Sequence, residues 1–192
     1  MVRRSLLLCS GLSLFASLQA ADQSIDTAYK KVSKKVSLGQ YVPHDIVTFN
    51  GVKISKRIVP DLKKLLEAAK KDGIALKVVS GYRSYEYQDA LFKKYVRSEI
   101  KKNPRLTVKQ ARAKANSFSA EAGHSEHQLG TVVDVLSAEN KFQFSSDPSL
   151  AYVGWLEKHA SRYNFKISYP KDSKEYIYEP WHIRWYPPVK KP

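Results

Sequence analysis

Two short stretches hold residues whose types and spacing suit a metal site with its own base. They are His127-Gln128-Leu129-Gly130-Thr131-Val132-Val133-Asp134 and Glu179-Pro180-Trp181-His182. Two imidazoles and one carboxylate give a catalytic zinc three protein ligands and leave a fourth position for water. Glu179, three residues before His182, is placed to take a proton from that water. The chemistry implied is hydrolysis.

Each stretch is ambiguous alone. Asp134 sits mid-strand and shares a face with Val132 and Leu136, while Thr131, Val133 and Val135 point the other way. A carboxylate there needs a partner or a metal, unless the strand is an edge and the side chain faces water. An odd separation would put His127 on the opposite face of a continuous strand, so His127 belongs in the preceding loop, with Gly130 supplying a bend. Pro180 interrupts regular pairing and lets Glu179 and His182 turn into one cavity. Read alone, that segment is better explained by a core histidine beside Trp181. His124 is a second imidazole near His127, either a substitute ligand or part of the loop wall.

A third piece, Ser80-Gly81-Tyr82-Arg83-Ser84, follows a strand and opens a helix. Arg83 could hold a carboxylate or steady an oxyanion through paired hydrogen bonds, and Gln88, one turn on, could line the same cleft. A surface arginine near a helix start is the plainer reading.

The elements that must position these residues are legible from periodicity. Pro60 to Lys71 reads as a helix, with Leu62, Leu65, Leu66 and Ala69 on one face and Gly73 as its stop. Ile74 to Val79 reads as a strand and Tyr85 to Lys101 as a second helix. Thr107 and Gln110 form a capping box for a short third helix ending near Asn116. Phe118 to Gln128 is a loop and Thr131 to Leu136 a strand. A last helix is expected from Asp147-Pro148 to Asn164, which tolerates the left-handed conformation. Phe165 to Tyr169, Tyr176 to Tyr178 and His182 to Tyr186 are expected as closing strands. With helices early and most strands late, the class is α+β: a small antiparallel sheet with helices packed on one side.

Composition restricts the metal chemistry further. Residues 1–20 read as an export signal: Arg3 and Arg4, a short apolar run from Leu6 to Leu18, and Ala20 at the cleavage point. The apolar run is too short for a membrane span; an uncleaved anchor is the other reading. The one cysteine, Cys9, falls inside this leader, so the mature chain has no disulfide, no thiol nucleophile and no thiolate ligand. Residues 21–50 are weakly patterned and read as an N-terminal arm or wrap, leaving 51–192 as the principal domain. The formal charge of +15 favours an anionic partner, in an exported protein a wall or membrane surface. The lysines equally fit the solvated faces of helices.

Taken together, Ser-Gly-Tyr-Arg-Ser, then Ser125-Glu126-His127-Gln128-x-Gly130-x-x-x-Asp134, then Glu-Pro-Trp-His-x-Arg resemble the VanY-type D-alanyl-D-alanine carboxypeptidases. These are zinc peptidases of the bacterial cell wall, related in fold to the hedgehog signalling domain. The resemblance runs from about Pro60 to Tyr186. It implies His127, Asp134 and His182 as ligands of one Zn2+ per chain and Glu179 as catalytic base. It also implies Arg83 at the substrate as a catalytic and binding group, and Ser125 and Gln88 as substrate contacts. The chain departs from the family pattern at Val132, often alanine, at Asn164, usually glycine, and at Ser168, frequently arginine.

On this reading the protein is a zinc D,D-carboxypeptidase that removes the terminal D-alanine of peptidoglycan stem peptides. The rivals are an L,D-carboxypeptidase or endopeptidase on the same polymer, and a non-catalytic zinc-containing wall-binding module. Nucleic acid is not the expected partner. The expected location is the bacterial periplasm or cell wall, with electrostatic contact to an anionic wall and no membrane span after signal cleavage.

Overall fold

The computed structural model describes residues 30–187. The expected export signal at 1–20 and the first part of the expected arm lie outside the described residues. Strands β1 (Ile46–Phe49) and β2 (Val52–Ser55) pair antiparallel as a hairpin. Its two-residue turn is Asn50-Gly51, both at positive φ (47° and 80°), the conformation that Asn-Gly adopts most readily. β1 therefore forms inside the stretch that sequence patterning left unstructured.

The second sheet has four antiparallel strands: β3 (Leu76–Ser80), β4 (Val132–Ser137), β5 (Phe165–Ile167) and β6 (His182–Trp185), in the order β3-β4-β6-β5. Helices α1 (Val59–Lys71) and α4 (Ala151–His159) pack on one face. Leu62 and Leu65 of α1 and Tyr152 and Leu156 of α4 meet Val78, Val133, Val135, Phe165 and Ile183 of the sheet. Each fully buried aliphatic side chain there contributes about 1.5–3 kcal/mol. Helices α2 (Tyr85–Lys102) and α3 (Val108–Ala115) pack on each other through Phe92, Val96, Ala111 and Ala115. The α+β class and the antiparallel sheet agree with the sequence reading.

Local capping rules hold. Ser84 caps α2, the Thr107–Gln110 capping box closes the start of α3, and Asn164 sits at φ 63° after α4 and its following 3-10 turn. Two expectations fail for tertiary reasons. The last helix starts at Ala151 rather than Asp147, because Asp147 turns onto Ser149 while the Glu139 carboxylate accepts from the backbone of Ala151 and Tyr152. Tyr176–Tyr178 forms no strand: Ile177 N–H donates to the Ser117 carbonyl and the Tyr178 carbonyl accepts from Ser146, so this backbone is satisfied by loops.

Residues 30–45 are stitched to the loop that carries His127. Leu38 N–H donates to the Gly123 carbonyl at 2.7 Å. The buried Gln128 amide donates to the carbonyls of Gly39 and Tyr41 at 2.8 and 2.9 Å. Among the described residues, no helix is long and apolar enough to cross a membrane.

Candidate metal centre and cleft

β4 is interior to the sheet and buried along its whole length, which removes the edge-strand reading of Asp134. Its alternation is the expected one: Val133 and Val135 enter the main core, leaving Asp134 on the opposite face. There it is the register partner of His182 on β6 and of Ser80 on β3. His127 arrives from a 3-10 turn, Glu126–Leu129, which ends on Gly130 at φ 72°. The bend folds His127 back over Asp134. At the other motif, His182 N–H donates to the Glu179 carbonyl at 3.1 Å, closing a turn through Pro180 and Trp181 that points Glu179 and His182 into the same space.

The geometry converges on Asp134. His127 Nε2 lies 3.3 Å from Asp134 Oδ2, and His182 Nδ1 lies 3.3 Å from Asp134 Oδ1. One ligand atom from each of the three residues falls within 4.8 Å of the others, and all three residues are buried. The imidazoles meet edge to face, with centroids 4.8 Å apart. Each is fixed from behind. His127 Nδ1 contacts the Gly81 carbonyl at 2.7 Å, and His182 Nε2 contacts Glu126 Oε2 at 3.0 Å. These back contacts leave Nε2 of His127 and Nδ1 of His182 facing the carboxylate, as the nitrogens available to a metal.

The three groups shift one another's ionisation. Burial alone would lower the His182 pKa, yet the Asp134 and Glu126 carboxylates push it up to about 10. Burial and the Arg83 charge hold His127 down to about 4 against the pull of Asp134. Burial would raise Asp134, but the two imidazoles hold it well below the usual carboxylate range. Asp134 Oδ1 makes no well-formed hydrogen bond. A buried carboxylate whose two oxygens each face a different imidazole nitrogen is a donor set that fits a divalent ion such as zinc.

Glu179 lies beside this group. Its Oε2 is 3.8 Å from His182 Nδ1. Burial pushes its pKa up to about 7, with His182 and Arg83 opposing and Asp134 adding, which suits a proton acceptor near neutrality. Arg83 Nη2 pairs with Asp134 Oδ2 at 3.0 Å, and its Nε and Nη2 also donate to Ser80 Oγ at 3.2 and 2.9 Å. Ser125, buried, accepts from the His127 backbone and lines the cleft.

Gln88 lies elsewhere than the sequence suggested. It is buried behind the wall, donating to the Ala120 carbonyl at 2.7 Å and accepting from Arg83 Nη1 at 3.5 Å. It holds Arg83 rather than facing the cleft. His124 is also outside the centre, its Nδ1 on the Ser33 carbonyl at 2.8 Å. The cleft, about 300 Å³, is walled by Tyr95, Phe118, Phe144, Tyr169 and Trp181 around the polar group.

Three participants stand in the quoted motifs but have no role in the sequence reading. Glu126 precedes His127, and Arg184 follows His182 at the strand repeat of two, so motif adjacency held a signal for both. The Gly81 carbonyl had none, because a backbone acceptor has no side-chain identity.

The comparisons with known proteins point to one family. The family model for VanY, D-alanyl-D-alanine carboxypeptidase, matches residues 51–188. The chain is 37% identical over 170 residues to the putative carboxypeptidase YodJ of Bacillus subtilis, covering 80% of this chain and 58% of the relative. It is also 37% identical over 139 residues to a D-alanyl-D-alanine carboxypeptidase of Enterococcus faecalis, covering 71% and 49%. The chain thus spans about half the length of the curated relatives it matches. Among solved structures, it superposes on VanYB in complex with D-alanine-D-alanine with a TM-score of 0.71 at 31% identity, covering 82% of this chain and 86% of that one. A vancomycin-resistance D,D-pentapeptidase VanY in complex with Zn(II) gives 0.70 at 31%, covering 83% and 88%. The LdcB LD-carboxypeptidase gives 0.67 at 35%, covering 80% and 74%.

Proposed function

The chain belongs to the VanY D-alanyl-D-alanine carboxypeptidase family, and from that premise we propose that it is a zinc-dependent D,D-carboxypeptidase removing the terminal D-alanine of peptidoglycan stem peptides. What carries this reading is the convergence of His127, Asp134 and His182 with Glu179 and Arg83 on a single cleft. His127, Asp134 and His182 would hold the ion. Bound zinc supplies Lewis acidity, acidifying water and polarising the scissile carbonyl.

The protein's own groups do the rest. Glu179 takes the proton of the attacking water at its carboxylate and returns it to the leaving amine. Arg83, steadied by Ser80 and Gln88, offers guanidinium hydrogen bonds to the oxyanion or to the substrate carboxylate. Ser125, on the cleft wall, contacts the bound peptide.

The presence of Glu179 argues against a non-catalytic wall-binding module. A second selectivity stays in play because a relative described as an LD-carboxypeptidase is 35% identical. The leader at 1–20 supports export to the periplasm or wall, and the +15 charge supports electrostatic attraction to an anionic wall polymer.

One digestion tests the reading. Zinc-loaded protein is incubated with purified muropeptides ending in a pentapeptide or a tetrapeptide, and the products are weighed. Loss of one alanine from the pentapeptide is the expected result. Loss only from the tetrapeptide assigns the L,D selectivity instead. No change in either, with zinc bound, overturns the carboxypeptidase reading.

A further inference from the structure

Behind His182 lies a buried ion pair for which the reaction itself has no use. Glu126 Oε2 is 3.0 Å from His182 Nε2, and Glu126 Oε1 accepts from Arg184 Nη1 at 2.7 Å. Both members are shielded from water, with side-chain exposures of 9% and 6%. Arg184 also donates from Nη2 to the Lys30 carbonyl at 2.8 Å. His182 and Arg184 share the face of β6 opposite Ile183, which enters the main core. Glu126 is the residue directly before His127. The pair therefore ties the 3-10 turn carrying one proposed ligand to the strand carrying another, 56 residues away.

We infer that Glu126 is a positioning residue of the metal centre, which acts with Arg184 to fix the ring of His182 so that Nδ1 rather than Nε2 faces Asp134. A carboxylate at Nε2 requires a proton on that nitrogen, and the lone pair is then left on Nδ1. The two histidines are supported differently. His127 is backed by the neutral Gly81 carbonyl, whereas His182 is backed by a full negative charge, which makes it the more electron-rich ligand. Arg184 neutralises that charge in place, so the support adds no net charge beside Glu179. A buried pair of this kind is weak evidence for added stability. Its role is orientation, because the Glu126 carboxylate links the turn that carries His127 to the strand that carries His182 and Arg184.

The inference rests on the zinc reading, and the experiment separates the two. Zinc affinity is measured by competition with a chromophoric chelator for the wild type and for Glu126→Gln, Arg184→Gln and Glu121→Gln. Glu121 pairs with Arg112 at the surface and serves as the control. Glu126→Gln offers one oxygen where two donors need one each, so zinc should bind 10–100-fold more weakly. The absorption spectrum of the cobalt-substituted variant should change as well. At saturating zinc, kcat should fall with KM little altered. Arg184→Gln should give a smaller loss in the same direction and decides the matter if Glu126→Gln fails to fold. Glu121→Gln should match the wild type. Zinc affinity and cobalt spectrum unchanged in Glu126→Gln, with only the melting temperature lowered, would make the pair purely structural and overturn the inference. A wild type that binds no zinc overturns the zinc reading first.

Discussion

Asp134 and His182 are direct register partners on β4 and β6. Opposed residues in an antiparallel pair point to the same face, with Cβ atoms about 4.5–5.5 Å apart. Two of the three proposed ligands are thus set by sheet pairing, and His127 is added by the bend at Gly130.

This dependence makes the ion a stabilising ligand. Zinc at about 1,000 times its dissociation constant should stabilise the wild type by roughly 4 kcal/mol, read as a higher melting temperature that a chelator reverses. In Asp134→Ala the shift should vanish. An equal zinc-dependent shift in that variant would move the binding site elsewhere.

Glu179 separates binding from turnover. Glu179→Ala should retain zinc at wild-type stoichiometry and lower kcat by about 10²–10⁴-fold. Metal analysis beside pentapeptide hydrolysis checks both halves, and near-normal turnover would remove Glu179 from its role as base.

Gly81 tests a backbone ligand support. A Cβ at this position would collide with the Lys53 carbonyl and lie 2.7 Å from Ile54 Cγ2 and 2.9 Å from Val52 Cγ1. The Lys53 carbonyl already accepts from Tyr82 N–H and cannot yield easily. Gly81→Ala should lose about 1–3 kcal/mol of stability and bind zinc more weakly, because the carbonyl behind His127 shifts. Denaturant unfolding and the chelator competition should both register the change.

Asp61 sets an acid limit on stability. Burial would raise its carboxyl, but hydrogen bonds from Trp185 Nε1 and Asn164 Nδ2, both at 2.8 Å, together with Lys64 hold it below its ordinary value. A carboxyl lowered in the folded state stabilises fully above the unfolded value of about 3.9, and this contribution disappears as pH falls through the folded value. Asp61→Asn should therefore be clearly destabilising in urea unfolding at pH 7 and much less so at pH 3. An equal penalty at both pH values would rule out the linkage.

What the sequence determined is what near neighbours determine. Period-two alternation placed Asp134 opposite Val133 and Val135. Gly130 and Asn164 marked left-handed bends, and Thr107 with Gln110 marked a helix start. The motifs carried the identity of the chemical groups. Tertiary structure decided everything that depends on which segments meet. The order β3-β4-β6-β5 made β4 interior and Asp134 buried. It aligned Asp134 with His182 and brought Glu126 behind His182, and it turned Gln88 away from the cleft to hold Arg83. Glu139 moved the start of the last helix, and Ser117 and Ser146 took the hydrogen bonds expected of a strand at Tyr176–Tyr178. Local preferences act over a few residues. A buried polar group accepts whatever partner packing delivers, and here those partners lie tens of residues away.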